Sequence, residues 1–328
     1  MGCRVAIDAA PAYELYPSLL AFIGRDKSLD RGPAWSRAVK KALDPLLVAE
    51  LEQLGKGFSF RDPMRKKFPD NPLFWWVWLL PPLIRDCPEE RTVSGFLGWL
   101  EELPPAALYE RMTRWLPPGL PLSDEIRTAR RRILPLLKEW NHQYLGRMDP
   151  SEWDVLRRDA EQKRRRIGSV DPEELIEEAT NGLCLSAAGR DITVLLVPQI
   201  HFVPANLLEC YRGLYVIHYP CEMPSDEGEP PSPLLRITRS LADGNRLRIL
   251  RFLSEGPRSF MEIVRHTGLA KSTVHHHMVS LRSAGLVRTM LDLDTNEQHF
   301  GLREHGLGRF QGLLAEFLSG EDRPYGPP

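Results

Sequence analysis

Two short helical patterns separated by only Gly268-Leu269-Ala270 set the tightest limit on how this chain can fold. Over 260–267, Phe260, Ile263 and Val264 keep helical spacing, and Ser259 stands where a cap is needed. Over 271–284, Val274, His277, Met278 and Leu281 recur at three- and four-residue intervals, which predicts a second helix with one buried face. A tight glycine-centred turn between two helices is the helix-turn-helix, whose second member can lie in a DNA groove.

The flanking sequence completes a recognisable unit. Residues 234–241 form a short amphipathic pattern, and Asp243 can cap a helix over 246–253 that ends at Gly256-Pro257. After Gly285, alternation over 286–293 and 298–302 around Asp294-Thr295-Asn296-Glu297 predicts a β-hairpin wing. A last helix over 305–318 carries Leu307, Phe310, Leu313, Leu314 and Phe317 on one stripe. With the apolar positions of 271–284 turned inward, Lys271, Ser272, Thr273, His275, His276, Val279 and Arg282 fall mostly outward. Short hydrogen-bonding side chains near a helix N-terminus suit phosphates and base edges. These seven residues, with Asp294, Thr295 and Asn296 of the wing, are the candidate DNA-binding set. His275 and His276 are read either as contacts or as solvated side chains. Adjacent histidines on a helix diverge, so the run 275–277 is not expected to chelate a metal.

Charge is distributed to match. The whole chain carries −1, yet residues 232–320 hold 12 Lys and Arg against 8 Asp and Glu, a local +4. Residues 222–232, EMPSDEGEPPS, are acidic and proline-rich and read as a linker. The expected fold is therefore mainly α with small β elements: a mostly helical domain over 1–221, a linker over 222–232, and a winged helix-turn-helix over 233–320. In the first domain, helices are expected over 34–54, 92–103, 123–144 and 151–166, with Ser123 a helix start and Asp171-Pro172 opening a further one. Proline pairs at 81–82, 104–105 and 117–118 are expected to punctuate the helices, and strands are expected over 4–8, 191–197 and 213–219.

Five scattered cysteines without a C-x-x-C pair argue against a disulfide framework and for a reducing, cytoplasmic setting. Arg4 and Asp8 interrupt any apolar leader, and residues 73–84, read as a buried core helix despite Pro81-Pro82, are too short to span a bilayer, so no membrane partner is expected. No nucleophile triad, phosphate loop or carboxylate pair stands out, so neither an enzyme nor a cofactor is expected. His201, Cys210, His218 and Cys221 lie at irregular spacings and read as buried thiols and ordinary histidines rather than metal ligands. The basic run 163–166 reads as a solvated helix face. Eight tryptophans precede the linker. Core packing is the default for them, and an aromatic effector pocket is the alternative.

Leu241-Ala242-Asp243-Gly244-Asn245-Arg246-Leu247-Arg248-Ile249-Leu250 resembles the opening signature of the ArsR family of bacterial winged-helix regulators, with Gly-Asn where Pro-Thr is usual. Ser272-Thr273-Val274, His277, Leu281-Arg282 and Gly285-Leu286-Val287 resemble the family's recognition helix and its run into the wing. The resemblance implies a homodimer formed through the first and last helices of this segment, reading a palindromic operator on double-stranded DNA, with repression favoured. Ala270 stands where a serine cap is usual. Metal-sensing members carry a cysteine pair in the third helix or ligands in the last; here 260–267 has no cysteine and the last helix offers only His305 and Glu316. Leu195-Leu196-Val197-Pro198, Phe202-Val203-Pro204 and Val216-Ile217-His218-Tyr219-Pro220 resemble the N-terminal part of long ArsR-like regulators, from which architecture alone is taken. A small-molecule effector in the first domain fits a one-component regulator. The competing reading is a protein-interaction module that uses its winged helix as a dimerisation scaffold.

Overall fold

The computed structural model describes residues 3–24, 28–56, 72–88, 90–116, 124–186 and 191–320. The chain divides into two compact units: Arg4–Arg165 with Ile192–Cys221, and Arg166–Asp191 with the chain from Glu222 onward. The boundary expected at 222–232 is thus one of several crossings. Residues 166–191, expected in the first domain, belong with the winged helix, because a strand within them pairs with the wing.

The first unit opens with β1 (Cys3–Ile7) and a 3-10 turn at Pro11–Glu14. Helices α1 (Leu15–Gly24), α2 (Gly32–Ala42), α3 (Pro45–Leu54), α4 (Pro72–Asp86), α5 (Val93–Glu102), α6 (Pro105–Trp115), α7 (Asp124–Gln143) and α8 (Pro150–Arg164) follow. The chain then contributes α9 (Pro172–Ala179) and β2 (Leu183–Ser186) to the second unit. It returns to the first as β3 (Ile192–Gln199), β4 (Leu207–Tyr211) and β5 (Leu214–Pro220).

Asp-Pro dipeptides start three of these helices. Asp44, Asp149 and Asp171 each accept a bond from a first-turn amide, and the following proline loses no helical bond by lacking an N–H. Asp44-Pro45 also explains why the pattern over 34–54 forms two helices rather than the one its periodicity predicts. At its far end α5 is closed by Arg130, whose guanidinium donates to the carbonyls of Leu100, Glu101 and Leu103. The Pro104-Pro105 pair marks the start of α6, as expected. Pro81 and Pro82 instead lie inside α4. Pro82 cannot donate to the Trp78 carbonyl four residues back, and the buried Tyr211 hydroxyl donates to it instead. Ser123 and the pair at 117–118 lie outside the described residues.

The sheet of this unit has the order β1-β3-β5-β4. β3 and β5 are parallel, with Leu195 opposite Val216, while β4 and β5 form an antiparallel hairpin turned by Gly213 in the left-handed region. β3 is buried along nearly its whole length, as a covered parallel strand must be. β4 was not expected from sequence. Trp76 and Trp140 are fully enclosed, and Trp75, Trp78, Trp99 and Trp115 are buried, so six of the eight tryptophans are core.

The second unit continues with α10 (Ser232–Leu241), α11 (Gly244–Ser254), β6 (Arg258–Ser259), α12 (Phe260–Thr267) and α13 (Lys271–Ser283). Strands β7 (Val287–Asp292) and β8 (Gln298–Leu302) and helix α14 (Glu304–Ser319) complete it. Its sheet has the order β2-β7-β8-β6. Its core gathers Ile237, Ile249, Ile263, Val274, Leu281, Leu286, Phe300 and Leu313 from all of these helices and the hairpin.

Candidate nucleic-acid interface

Local chemistry sets the geometry of the helix-turn-helix. Asp243 caps α11, its Oδ1 accepting from the amides of Asn245 at 2.9 Å and Arg246 at 3.0 Å. Those bonds, the Arg246 amide foremost, hold the Asp243 carboxyl below its ordinary range. Arg246 then donates to Ser280 Oγ at 2.6 Å and to the Arg239 carbonyl at 2.8 Å, tying α10, α11 and α13 together. α12 begins with a capping box. The Ser259 amide donates to Glu262 at 2.8 Å, and the Glu262 amide donates to Ser259 Oγ at 3.3 Å. It ends at Gly268, whose φ of 67° lets its amide reach back to the Val264 carbonyl.

No side chain caps α13, because Ala270 occupies the cap position. A helix start of this kind presents amides and the positive end of the dipole to an anion. Along α13, Val274, His277, Met278 and Leu281 are buried, while Lys271, Ser272, Thr273, His275, His276 and Arg282 are exposed. Val279 is half-buried and contributes less outward surface than its companions. His275 lies edge-on to Phe260 with ring centroids 6.5 Å apart. His277 packs inward, its Nδ1 4.0 Å from Asp243.

The wing forms the expected hairpin, and pairs Thr289 with Phe300 and Leu291 with Gln298. At its tip Asp292 accepts from the Asp294 amide at 2.9 Å and the Thr295 amide at 2.8 Å, and Asn296 adopts φ 59°. Those amides, Thr295 first, hold the Asp292 carboxyl below its ordinary range. Asp294, Thr295 and Asn296 are all exposed, but Glu297 beside them makes the tip acidic. Positive charge comes from Lys271 and Arg282 on α13, and from exposed Arg265 and Arg288, which the periodicity of α13 could not reveal.

Among the described residues no three His, Cys, Asp or Glu side chains converge as metal ligands would. His201 belongs to a buried chain instead. Glu14 accepts from the Ile200 amide at 2.9 Å and pairs with His201 Nδ1, while His201 Nε2 meets the Tyr144 hydroxyl at 2.8 Å. The Trp35 indole N–H donates to that hydroxyl at 2.9 Å. Burial lowers the His201 pKa. No described helix is long and apolar enough to cross a membrane.

Residues 243–289 match the family described as bacterial regulatory protein, arsR family. The HTH-type transcriptional regulator CmtR of Mycobacterium tuberculosis is 33% identical over 91 residues, which span 28% of this chain and 75% of that protein. This chain belongs to the ArsR family. A second relative, the "Probable mercury resistance operon repressor" of Streptomyces lividans, is 36% identical over 62 residues, covering 19% of this chain and 50% of that one. The solution NMR structure of a homodimeric winged helix-turn-helix DNA-binding domain from Mycobacterium bovis aligns over 29% of this chain and 87% of its own, with 24% identity and a TM-score of 0.22. The ArsR-family member described here is a DNA-binding transcriptional regulator with a winged helix-turn-helix.

Proposed function

We propose that this ArsR-family chain is a homodimeric repressor whose helix α13 reads a palindromic operator through the major groove. One observation carries the reading: α13 begins without a side-chain cap and presents Lys271, Ser272, Thr273, His275, His276 and Arg282 to solvent on one side of a firmly packed helix. Lys271 and Arg282 supply phosphate contacts that fix register, while Thr273 and His276 have the reach and donors for base edges. In this reading the exposed wing residues Asp294, Thr295 and Asn296 meet the DNA beside this surface. Their acidic setting gives them a role through Thr295 and Asn296 rather than through charge.

Dimerisation is supported by α14, where Leu307, Phe317 and Leu318 are exposed beside half-buried Phe310 and Leu314. Such a continuous apolar strip fits a second copy of the same helix. In this reading the unit formed by Arg4–Arg165 and Ile192–Cys221 senses an effector or mediates assembly. An effector acts there only through different affinities for the DNA-competent and DNA-incompetent states.

The test is a mobility-shift titration of the full chain on the region upstream of its own coding sequence. Thr273→Ala and His276→Ala each weaken binding by about 1–3 kcal/mol if these side chains reach bases. Unaltered affinity in both variants places the contact surface elsewhere and returns the winged helix to a scaffold role.

A further inference from the structure

Three elements of the DNA-binding unit meet at one knot, and the residue at its centre comes from outside the winged helix. Asn181 follows α9 with φ 58°, in the left-handed region that asparagine tolerates. Its Oδ1 accepts from Arg303 Nη1 at 2.6 Å and from Arg309 Nη1 at 3.0 Å, at the start of α14. Arg303 Nε also donates to Glu177 of α9 at 2.6 Å, and Arg303 is only 7% exposed, so its charge depends on these two acceptors.

The same asparagine packs on Gly285, which ends the α13 turn: a Cβ there would lie 2.3 Å from Asn181 Oδ1. Gly285 has φ +67° and its amide donates to the Arg282 carbonyl at 2.9 Å. Its own carbonyl leaves no room for a Cβ on Gly306 of α14, 2.3 Å away. One residue further on, the Gly182 carbonyl accepts from the Thr289 amide at 2.7 Å, and β2 then runs parallel to β7 from Leu183 opposite Thr289 to Ser186 opposite Asp292. The far end of this pairing, where the Leu293 amide donates to the Ser186 carbonyl at 2.8 Å, reaches the tip of the wing.

We propose that Glu177, Asn181 and Arg303 are positioning residues for DNA recognition, fixing the end of α13, the root of the wing and the start of α14 in one relation. The proposal rests on the reading above, that α13 and the wing dock on DNA. A winged helix needs no α9 or β2 to close its own core, since among the described residues every buried member of that core lies at 234–313. The added pieces act on orientation. Their chain is continuous at both ends with the other unit, at Arg165 and Ile192, and the chain crosses again between Cys221 and Glu222.

The experiment uses the full chain, a duplex that it selects from a random pool, and an unselected duplex of the same length. Asn181→Gly keeps the left-handed backbone and removes the acceptor. It lowers affinity for the selected duplex by about tenfold or more and leaves affinity for the unselected duplex within about twofold, so discrimination collapses while the phosphate contribution stays. Asn181→Asp, which restores an acceptor facing both guanidinium groups, recovers discrimination. Hydrogen exchange at the Thr289 and Leu293 amides reports the β2–β7 pairing directly and quickens in Asn181→Gly. Should that variant lose its helical signal, Glu177→Gln carries the same expectation with a milder change. An equal fall for both duplexes, or unchanged discrimination in Asn181→Gly and Glu177→Gln, overturns the inference and leaves the proposed function standing. A wild-type chain that prefers no duplex overturns the proposed function and this inference with it.

Discussion

Tyr211 shows how a single side chain repairs a defect that the sequence imposes elsewhere. Pro82 leaves the Trp78 carbonyl without its helical donor, and the Tyr211 hydroxyl supplies one from β4. Tyr211→Phe keeps the ring and strands a buried acceptor, so it destabilises the first unit by about 1–3 kcal/mol in denaturant titration. A change under a few tenths would mean that the carbonyl finds another partner. Nothing in the sequence links positions 211 and 82, because the need for the bond arises only once α4 runs through both prolines. By contrast, Val274, Met278 and Leu281 were legible as buried and Thr273 and His276 as exposed, since one helical period fixes both faces.

Two ionisable groups of the first unit, half-buried Glu209 and buried His218, give opposing pH dependences. Burial pushes the Glu209 carboxyl up to about 7 from 4.5, so the folded chain keeps a proton that the unfolded chain releases. That contribution is complete below about 4.5 and disappears as pH rises through about 7. Burial lowers His218 from 6.5 to about 3; its ring packs against Tyr13 and Tyr16 and neither nitrogen has a hydrogen-bond partner among the described residues. Its contribution is present above about 6.5 and is lost progressively down to about 3. The slopes oppose each other between 4.5 and 6.5. Glu209→Gln removes the falling branch, so the stability difference, variant minus wild type, grows from pH 4.5 and levels off above about 7. Superimposable profiles of the two proteins would contradict this assignment.

At the scale of elements, helix starts were the most readable feature because their chemistry is local. Asp171-Pro172, Asp243 and Ser259 each cap the helix that follows them. By contrast, α13 starts at Ala270, which offers no side-chain cap. Ala270→Ser restores a side-chain cap and stabilises the second unit by about 0.5–1 kcal/mol, seen as a higher unfolding temperature of that unit. An unchanged or lower temperature would show that the helix start is already satisfied. β2 and β4 escaped the sequence reading because each is short, with at most five residues, and its identity as a strand comes from a partner. β2 pairs with β7 a hundred residues away, and no local pattern in Leu183–Ser186 specifies that register. The same non-local pairing moves residues 166–191 out of the unit in which their neighbours fold.

For the whole molecule, the two units each carry a four-stranded sheet, and each is built from separate stretches of chain. The ArsR-family relatives account for the winged helix; CmtR overlaps 28% of the chain. The function proposed for the molecule depends on two copies presenting α13 to successive major-groove faces of one operator. Purine methylation interference on the duplex selected by the full chain tests this most directly. Methyl groups on guanine N7 project into the major groove, so binding is lost when they occupy two symmetric clusters centred about one helical turn apart. Interference confined to adenine N3 in the minor groove, with N7-methylated guanines tolerated throughout, would contradict this.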